Sequence, residues 1–199
     1  YDPKRAETAL RKLNLPSPWE VSDDWRMPYF FMSRFGFSAN PMQKAVRQVA
    51  SEMETPGIMI VEAPMGQGKT EAALAAAEIL MNRFHLGGAA FFLPSQATSN
   101  AMFTRMTQWA QQQPESSGIA VSLVHGQAEF NEAFRQLEEG SAQIQDWEPE
   151  SLIVHSFFQG RKTKLLANLV VGTVDQLLMA ALQQKHVMLR HLGLTGKVV

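Results

Sequence analysis

Lys69 and Thr70 are the residues of this chain best suited to chemistry. They end the run Ala63-Pro64-Met65-Gly66-Gln67-Gly68-Lys69-Thr70, which follows the apolar residues 57–61 and Glu62 and leads through Glu71 into the alanine-rich residues 72–80. An apolar strand, a small-residue loop closing on Gly-Lys-Thr and then a helix make a P-loop. Backbone N–H groups of such a loop wrap phosphate oxygens, and the following helix points its positive dipole end at the same place. Lys69 would reach the β- and γ-phosphates of a nucleoside triphosphate, and the Thr70 hydroxyl would help hold Mg²⁺. These two are the candidate catalytic residues. Pro64, Met65, Gly66, Gln67, Gly68 and Glu71 join them as candidate nucleotide contacts. Ala63 stands where the pattern G-x-x-x-x-G-K-[ST] has its first glycine, a small-for-small departure. A glycine-rich turn without a ligand is the plainer alternative, and the strand and helix around the loop weigh against it.

The elements that must position this loop follow from hydrophobic spacing and from breakers. Residues 4–13 read as a short helix with Ala6, Ala9, Leu10 and Leu13 on one stripe, stopped by Pro16 and Pro18. Residues 19–37 are rich in aromatics and lack a period, as an arm packed on a main domain would be. Asn40-Pro41 starts a helix, with Asn as N-cap and Pro at the first helical position. Met42, Ala45, Val46, Val49, Ala50 and Met53 form its expected buried face. The P-loop helix should run from Lys69 to about His85. Residues 89–93, 119–124 and 169–171 read as further strands, and residues 196–199 as the start of a fifth. Helices are expected over residues 97–113, 128–137 and 174–183, a polar loop over 138–150, and a strand or irregular apolar segment over 151–158. Strands alternating with helices imply an α/β fold: a parallel sheet of about five strands with helices on both faces. Ligands bind such sheets at the carboxyl ends of the strands. The P-loop, Pro94-Ser95, His125-Gly126 and Gly172-Thr173 all fall at those ends.

Composition bounds the function. Apolar residues make up 45% and charged residues 19% of the 199, as in a water-soluble globular domain. The absence of cysteine excludes disulfides and thiolate metal sites and suits a reducing, cytoplasmic setting. No apolar run approaches the ~18 residues of a helical membrane span, so no membrane is expected as a partner. With a formal net charge of −1 and a pI near 6.6, any nucleic-acid site must be local. The five histidines, 85, 125, 155, 186 and 191, show no metal-ligand spacing. His125 reads as structural.

Further stretches narrow the choice among nucleotide enzymes. Gln43 lies on the helix ahead of the P-loop strand, where a side-chain amide can match adenine's N6 and N7. Phe35 or Phe37 could stack on the base. This placement resembles the Q motif of superfamily 2 helicases and points to ATP; a solvated helix glutamine is the plain reading. Phe92-Leu93-Pro94-Ser95-Gln96-Ala97-Thr98 looks like that superfamily's motif Ia, and Val171-Gly172-Thr173-Val174-Asp175-Gln176 like its motif Ib. Each could be a capped helix start; their order after the P-loop is what informs. Pro94, Ser95, Gln96, Thr98, Gly172 and Thr173 are therefore candidate contacts to single-stranded DNA, with Arg161 and Lys162 of the basic run 160–164. Asp175, being negative, should cap its own helix.

Taken together, residues 63–73, 93–102, 160–162, 165–166 and 171–178 resemble the helicase–nuclease family of type I CRISPR systems. The resemblance covers roughly residues 35–199 and corresponds to the first RecA-like domain, with residues 1–39 as an N-terminal appendage or linker. It implies an ATP- and Mg²⁺-dependent motor translocating 3′-to-5′ on single-stranded DNA in antiviral defence. It also implies recruitment by a CRISPR RNA surveillance complex and an attached metal-dependent HD nuclease. No His-Asp pair occurs, so that nuclease is expected outside this chain, as are the second RecA-like domain and the Asp-Glu motif, which should follow Val199. The chain, beginning at Tyr1, reads as an excised segment and is expected to be inactive by itself. Another superfamily 2 helicase, a restriction-type translocase and a non-hydrolysing nucleotide-binding adaptor module remain open alternatives.

Overall fold

The computed structural model describes residues 3–13, 15, 18–113, 118–126, 128, 131–143, 152–160, 163–182 and 187–199. Its elements in order are α1 (Pro3–Leu13), α2 (Phe30–Phe35), α3 (Pro41–Glu52), α4 (Lys69–Phe84), β1 (Gly88–Leu93), α5 (Gln96–Gln111), β2 (Val121–Val124), α6 (Glu132–Gln143), β3 (Leu169–Thr173), α7 (Val174–Leu178), α8 (Val187–Leu194) and β4 (Lys197–Val198). The strands form one parallel sheet in the order β2-β3-β1-β4.

Alternation along the strands sorts the core into two layers. Ala89, Val121, Leu123, Leu169 and Val171 face one side, packed with Leu74, Ala77 and Met81 of α4 and Met102, Phe103, Met106 and Trp109 of α5. Ala90, Ala120 and Val170 face the other, with Phe158, Leu165, Ala167 and Leu194. The expected parallel sheet covered on both faces is therefore present. Gly88 lies where β1 crosses close to the chain before β3; a Cβ there would sit 2.0 Å from the Asn168 carbonyl oxygen.

Among the described residues the sheet has four strands, not five. Residues 57–61 run without a ladder partner, and Ile58 and Ile60 are 90% and 87% exposed, while Met59 packs inward on α3 and α4. A groove of about 570 Å³ separates this segment from β4, floored by Ala73, Ala76 and Ala77 of α4. Strand pairing is non-local, so an apolar run can be extended and still lack the neighbour that would make it a strand.

Several other expectations shift. The buried face of α3 is Gln43, Val46 and Ala50, with Ala45 and Val49 exposed; the helix is rotated so that Gln43 meets the P-loop. Ala9 and Leu13 on α1 are exposed. Strand β3 extends to Thr173, α6 starts later than expected and runs to Gln143, and α7 stops at Leu178. Helix α8 was not foreseen. Of residues 151–158, Ile153 makes one parallel bridge to Ala120, and a 3-10 turn follows at Ser156–Gln159.

The aromatic arm packs into the domain. Trp19 lies edge-on to Trp109, and Trp25, Phe30 and Phe31 join Ala72, Ala75 and Ile79 of α4 in a second apolar cluster. Beneath it sits a buried ion pair. Glu78 is fully enclosed; its carboxylate accepts from Arg34 Nε at 3.1 Å, Trp109 Nε1 at 3.2 Å and Gln113 Nε2 at 2.7 Å. Arg34 also donates to the Gln112 carbonyl and to Asp24, at 3.1 Å each. Burial pushes the Glu78 carboxyl above its usual range, opposed by Arg34, Gln113 and Trp109.

Candidate nucleotide and nucleic-acid site

The loop before α4 has the backbone that its glycines permit. Gly66 has φ of 79° and Gly68, the N-cap of α4, has φ of 72°, the left-handed region that side chains disfavour. No side chain caps α4, so the first N–H groups of the helix point outward unpaired by the helix itself. Pro64, Met65, Gly66, Gln67 and Lys69 are exposed, while Gly68, Thr70 and Glu71 are half-buried.

Lys69 folds back across the loop. Its Nζ donates to the carbonyls of Ala63 at 2.5 Å and Pro64 at 2.8 Å. The ammonium thus spans the concavity where phosphates would sit, bonded to groups that a phosphate would outcompete. Two side chains from the start of α3 clasp the loop. Asn40 Nδ2 donates to the Gln67 carbonyl at 2.9 Å, and Gln43 Nε2 donates to the Gly68 carbonyl at 3.2 Å. Gln43 Oε1 accepts the Asn40 N–H at 3.0 Å in a capping box. Gln43 is 2% exposed and both ends of its amide are engaged, so here it holds the loop; reading adenine would require exchanging one of these bonds. Asn40 was foreseen only as a cap.

Beside the helix start, Arg105 of α5 donates from Nη1 to Thr70 Oγ1 at 3.1 Å and from Nη2 to Glu71. A groove of about 420 Å³ opens there, lined among others by Phe35, Phe37, Glu71 and Arg105. Phe35 and Phe37 are stacked at 6.0 Å with 29° between their planes. A base laid in this groove would meet aromatic carbon. The mid-helix Arg105 had no sequence signal, since nothing in its spacing separates it from a solvated arginine.

The residue types fit a nucleoside triphosphate with Mg²⁺: positive-φ glycines, an uncapped helix start, a cation spanning the loop and a hydroxyl at Thr70. No group of three or more His, Asp or Glu side chains that could hold a metal ion is found among the described residues.

The second loop group lies at the ends of β1 and β3. Pro94, Ser95, Gln96 and Thr98 are exposed. Ser95 is the N-cap of α5: its Oγ accepts the Thr98 N–H, and Thr98 Oγ1 accepts the Ser95 N–H, both at 3.2 Å. Gly172 and Thr173 instead lie within β3 and are buried. A Cβ on Gly172 would stand 2.8 Å from the Val124 carbonyl oxygen, so this glycine permits close strand approach. Thr173 is the N-cap of α7 without a side-chain cap bond; Asp175 sits in the first turn, beside the helix dipole, rather than at the cap. Ser99 joins the two loops, its buried Oγ reaching the Ser95 carbonyl at 2.8 Å and the Gly172 carbonyl at 3.0 Å. Arg161 and Lys162 lie outside the described residues. His125 Nε2 lies 2.8 Å from Asn100 Oδ1, a hydrogen bond that ties the end of β2 to α5. Burial and then the Lys164 charge lower the His125 pKa.

The chain is 43% identical over 199 residues to the CRISPR-associated nuclease/helicase Cas3 of Streptococcus thermophilus, covering 98% of this chain and 22% of that protein. It is 37% identical over 162 residues to the CRISPR-associated endonuclease/helicase Cas3 of Thermus thermophilus, covering 80% and 18%. The crystal structure of T. fusca Cas3–AMPPNP superposes with a TM-score of 0.77 at 32% identity, covering 97% of this chain and 21% of that one. The chain thus spans about a fifth of the length of the relatives it matches. The model of the DEAD/DEAH box helicases matches residues 40–195. By the extent of that match, the chain belongs to the DEAD/DEAH box helicase family.

Proposed function

We propose that residues 40–199 are the first RecA-like half of an ATP-driven helicase that moves on single-stranded DNA in CRISPR interference, with residues 1–39 as its N-terminal arm. The observation that carries this reading is the loop of residues 63–70, with Lys69 drawn across an uncapped helix start. Likeness to Cas3 proteins supports the CRISPR setting and a nuclease elsewhere in the working protein. A second RecA-like domain, a CRISPR RNA surveillance complex and a cytoplasmic location belong to the same proposal.

The roles divide by chemistry. Lys69 leaves the Ala63 and Pro64 carbonyls and places its charge on the β- and γ-phosphates. The loop N–H groups orient the phosphate chain. Mg²⁺, held with the help of Thr70, would neutralise charge developing on the transferred phosphoryl group. Phe35 and Phe37 offer a face to the base, and Gln43 supports Gly68. The exposed Ser95, Gln96 and Thr98 grip DNA phosphates without reading bases, as a motor passing any sequence requires, and Pro94, which has no N–H to donate, shapes their loop. Gly172 and Thr173 shape that track from within β3, and Arg161 and Lys162 add charge to it.

The test is ATP hydrolysis by the intact protein with and without single-stranded DNA of mixed sequence. DNA should stimulate ATP turnover, and GTP should be the poorer substrate. Turnover indifferent to DNA would remove the motor reading and leave a nucleotide-binding module.

A further inference from the structure

Arg105 is the one residue of α5 that reaches the P-loop helix through its charge. Its guanidinium donates to the Thr70 hydroxyl at 3.1 Å and pairs with Glu71, while half its side chain stays exposed. Thr70 is the residue whose hydroxyl is needed for Mg²⁺. A hydroxyl oxygen has two lone pairs, so the guanidinium and the metal could both address it in principle. Two cations on one oxygen repel, however, and Mg²⁺ demands near-ideal geometry at about 2.1 Å. Glu71, still beside it, gives Arg105 a place to stay when Thr70 is surrendered.

The helix that carries Arg105 also carries the second loop group. Ser95 and Thr98 cap its first turn, and Ser99 ties that turn to Gly172. Arg105 lies ten residues along α5 from Ser95, about 15 Å on a rigid rod. Losing its bond to Thr70 leaves Arg105 tied to the P-loop helix through Glu71 alone, and the helix so tied is the element that presents Ser95, Gln96 and Thr98.

We propose that Arg105 is a positioning residue that reports metal–nucleotide occupancy: it holds Thr70 while the P-loop is empty and must release it when that hydroxyl turns to Mg²⁺, passing the change along α5 to the loop at Ser95. This rests on the P-loop reading above and adds a regulatory contact to the same site. The Arg105 bond opposes Mg²⁺ at the Thr70 hydroxyl, because Mg²⁺ has to displace it.

The experiment measures binding of a fluorescent ATP analogue to the intact protein, once with Mg²⁺ and once with EDTA. The variants are wild type, Arg105→Ala, Arg105→Gln and Lys69→Ala. The quantity read is the ratio of Kd in EDTA to Kd in Mg²⁺. Arg105→Ala should raise this ratio about three- to tenfold over wild type, and Arg105→Gln, which removes the charge, should raise it too. If one variant fails to fold, the other gives the answer. In the same preparations, the change in single-stranded DNA affinity caused by Mg²⁺ with the analogue should shrink at least twofold. A ratio equal to wild type in the folded variants overturns the proposal. So does an equal loss of binding with and without Mg²⁺, which would make Arg105 a simple phosphate or base contact. If wild type binds no analogue, or Lys69→Ala binds as wild type does, the P-loop reading falls and this inference falls with it; an unchanged ratio alone leaves that reading standing.

Discussion

Replacing Glu78 tests how the aromatic arm is held to the P-loop helix. Its carboxylate accepts from Arg34, Trp109 and Gln113, and it is fully enclosed. In Glu78→Gln the shape survives, but the charge opposite Arg34 disappears. Part of the guanidinium keeps Asp24 and the Gln112 carbonyl, while Trp109 Nε1 and Gln113 Nε2 face an amide that can satisfy only some of these donors. Breaking a buried pair on one side costs about 3–5 kcal/mol. With a urea slope near 3 kcal/mol/M or somewhat more for a chain of this size, the unfolding midpoint should fall by roughly 1–1.5 M. Arg34→Met should cost a similar amount at neutral pH. Its cost should shrink toward acid pH, because burial already raises the Glu78 pKa and a neutral carboxyl needs no partner. Combining Glu78→Gln with Arg34→Met should cost less than the two single changes added together, by about 2 kcal/mol or more. Urea melts of the four proteins give the cycle. Additive single effects below about 1 kcal/mol each would refute the reasoning and leave the arm held by its aromatic rings alone.

Two further outcomes are expected. Gly68→Ala should cost about 1–2 kcal/mol for its left-handed φ and displace Gln43, whose Nε2 lies 2.4 Å from the added Cβ position; nucleotide binding should drop more than stability, as titration and melting together would show. Lys197, which donates to the Leu165 and Gly193 carbonyls, is pushed down by burial to about 8. Below that pH it is charged in both folded and unfolded chains; between about 8 and its ordinary 10.5 only the unfolded chain keeps the proton. Its contribution to stability therefore rises with pH across that window, and the difference in urea midpoint between wild type and Lys197→Met should change in the same direction from pH 7.5 to 10.

Local signals made much of this molecule legible. Gly-Lys-Thr after an apolar run placed α4, and Asn40-Pro41 placed the start of α3, because caps and breakers act within a turn. The sheet faces followed from short unalternated runs. What escaped depends on partners distant in sequence. Residues 57–61 have strand composition but no neighbouring strand, and the rotation of α3 is fixed by Gln43 meeting Gly68. Arg105 and Asn40 look like surface polar residues until α5 and the P-loop are brought together. Glu78 carries a local signal of its own: it is the lone acid inside Ala72-Ala73-Leu74-Ala75-Ala76-Ala77-Glu78-Ile79-Leu80-Met81, and an acid there needs a cation. Arg34, 44 positions earlier, is that cation.

The most direct test of the central claim is calorimetric titration of the intact protein and its Lys69→Ala variant with ATP in the presence of Mg²⁺. Lys69 is exposed at the start of α4, so the variant should melt as wild type does. Charge-assisted bonds to two phosphates, at roughly 1.5–3 kcal/mol each, predict at least a hundredfold loss of affinity. Equal affinity in a folded variant would contradict the account and place the nucleotide site elsewhere.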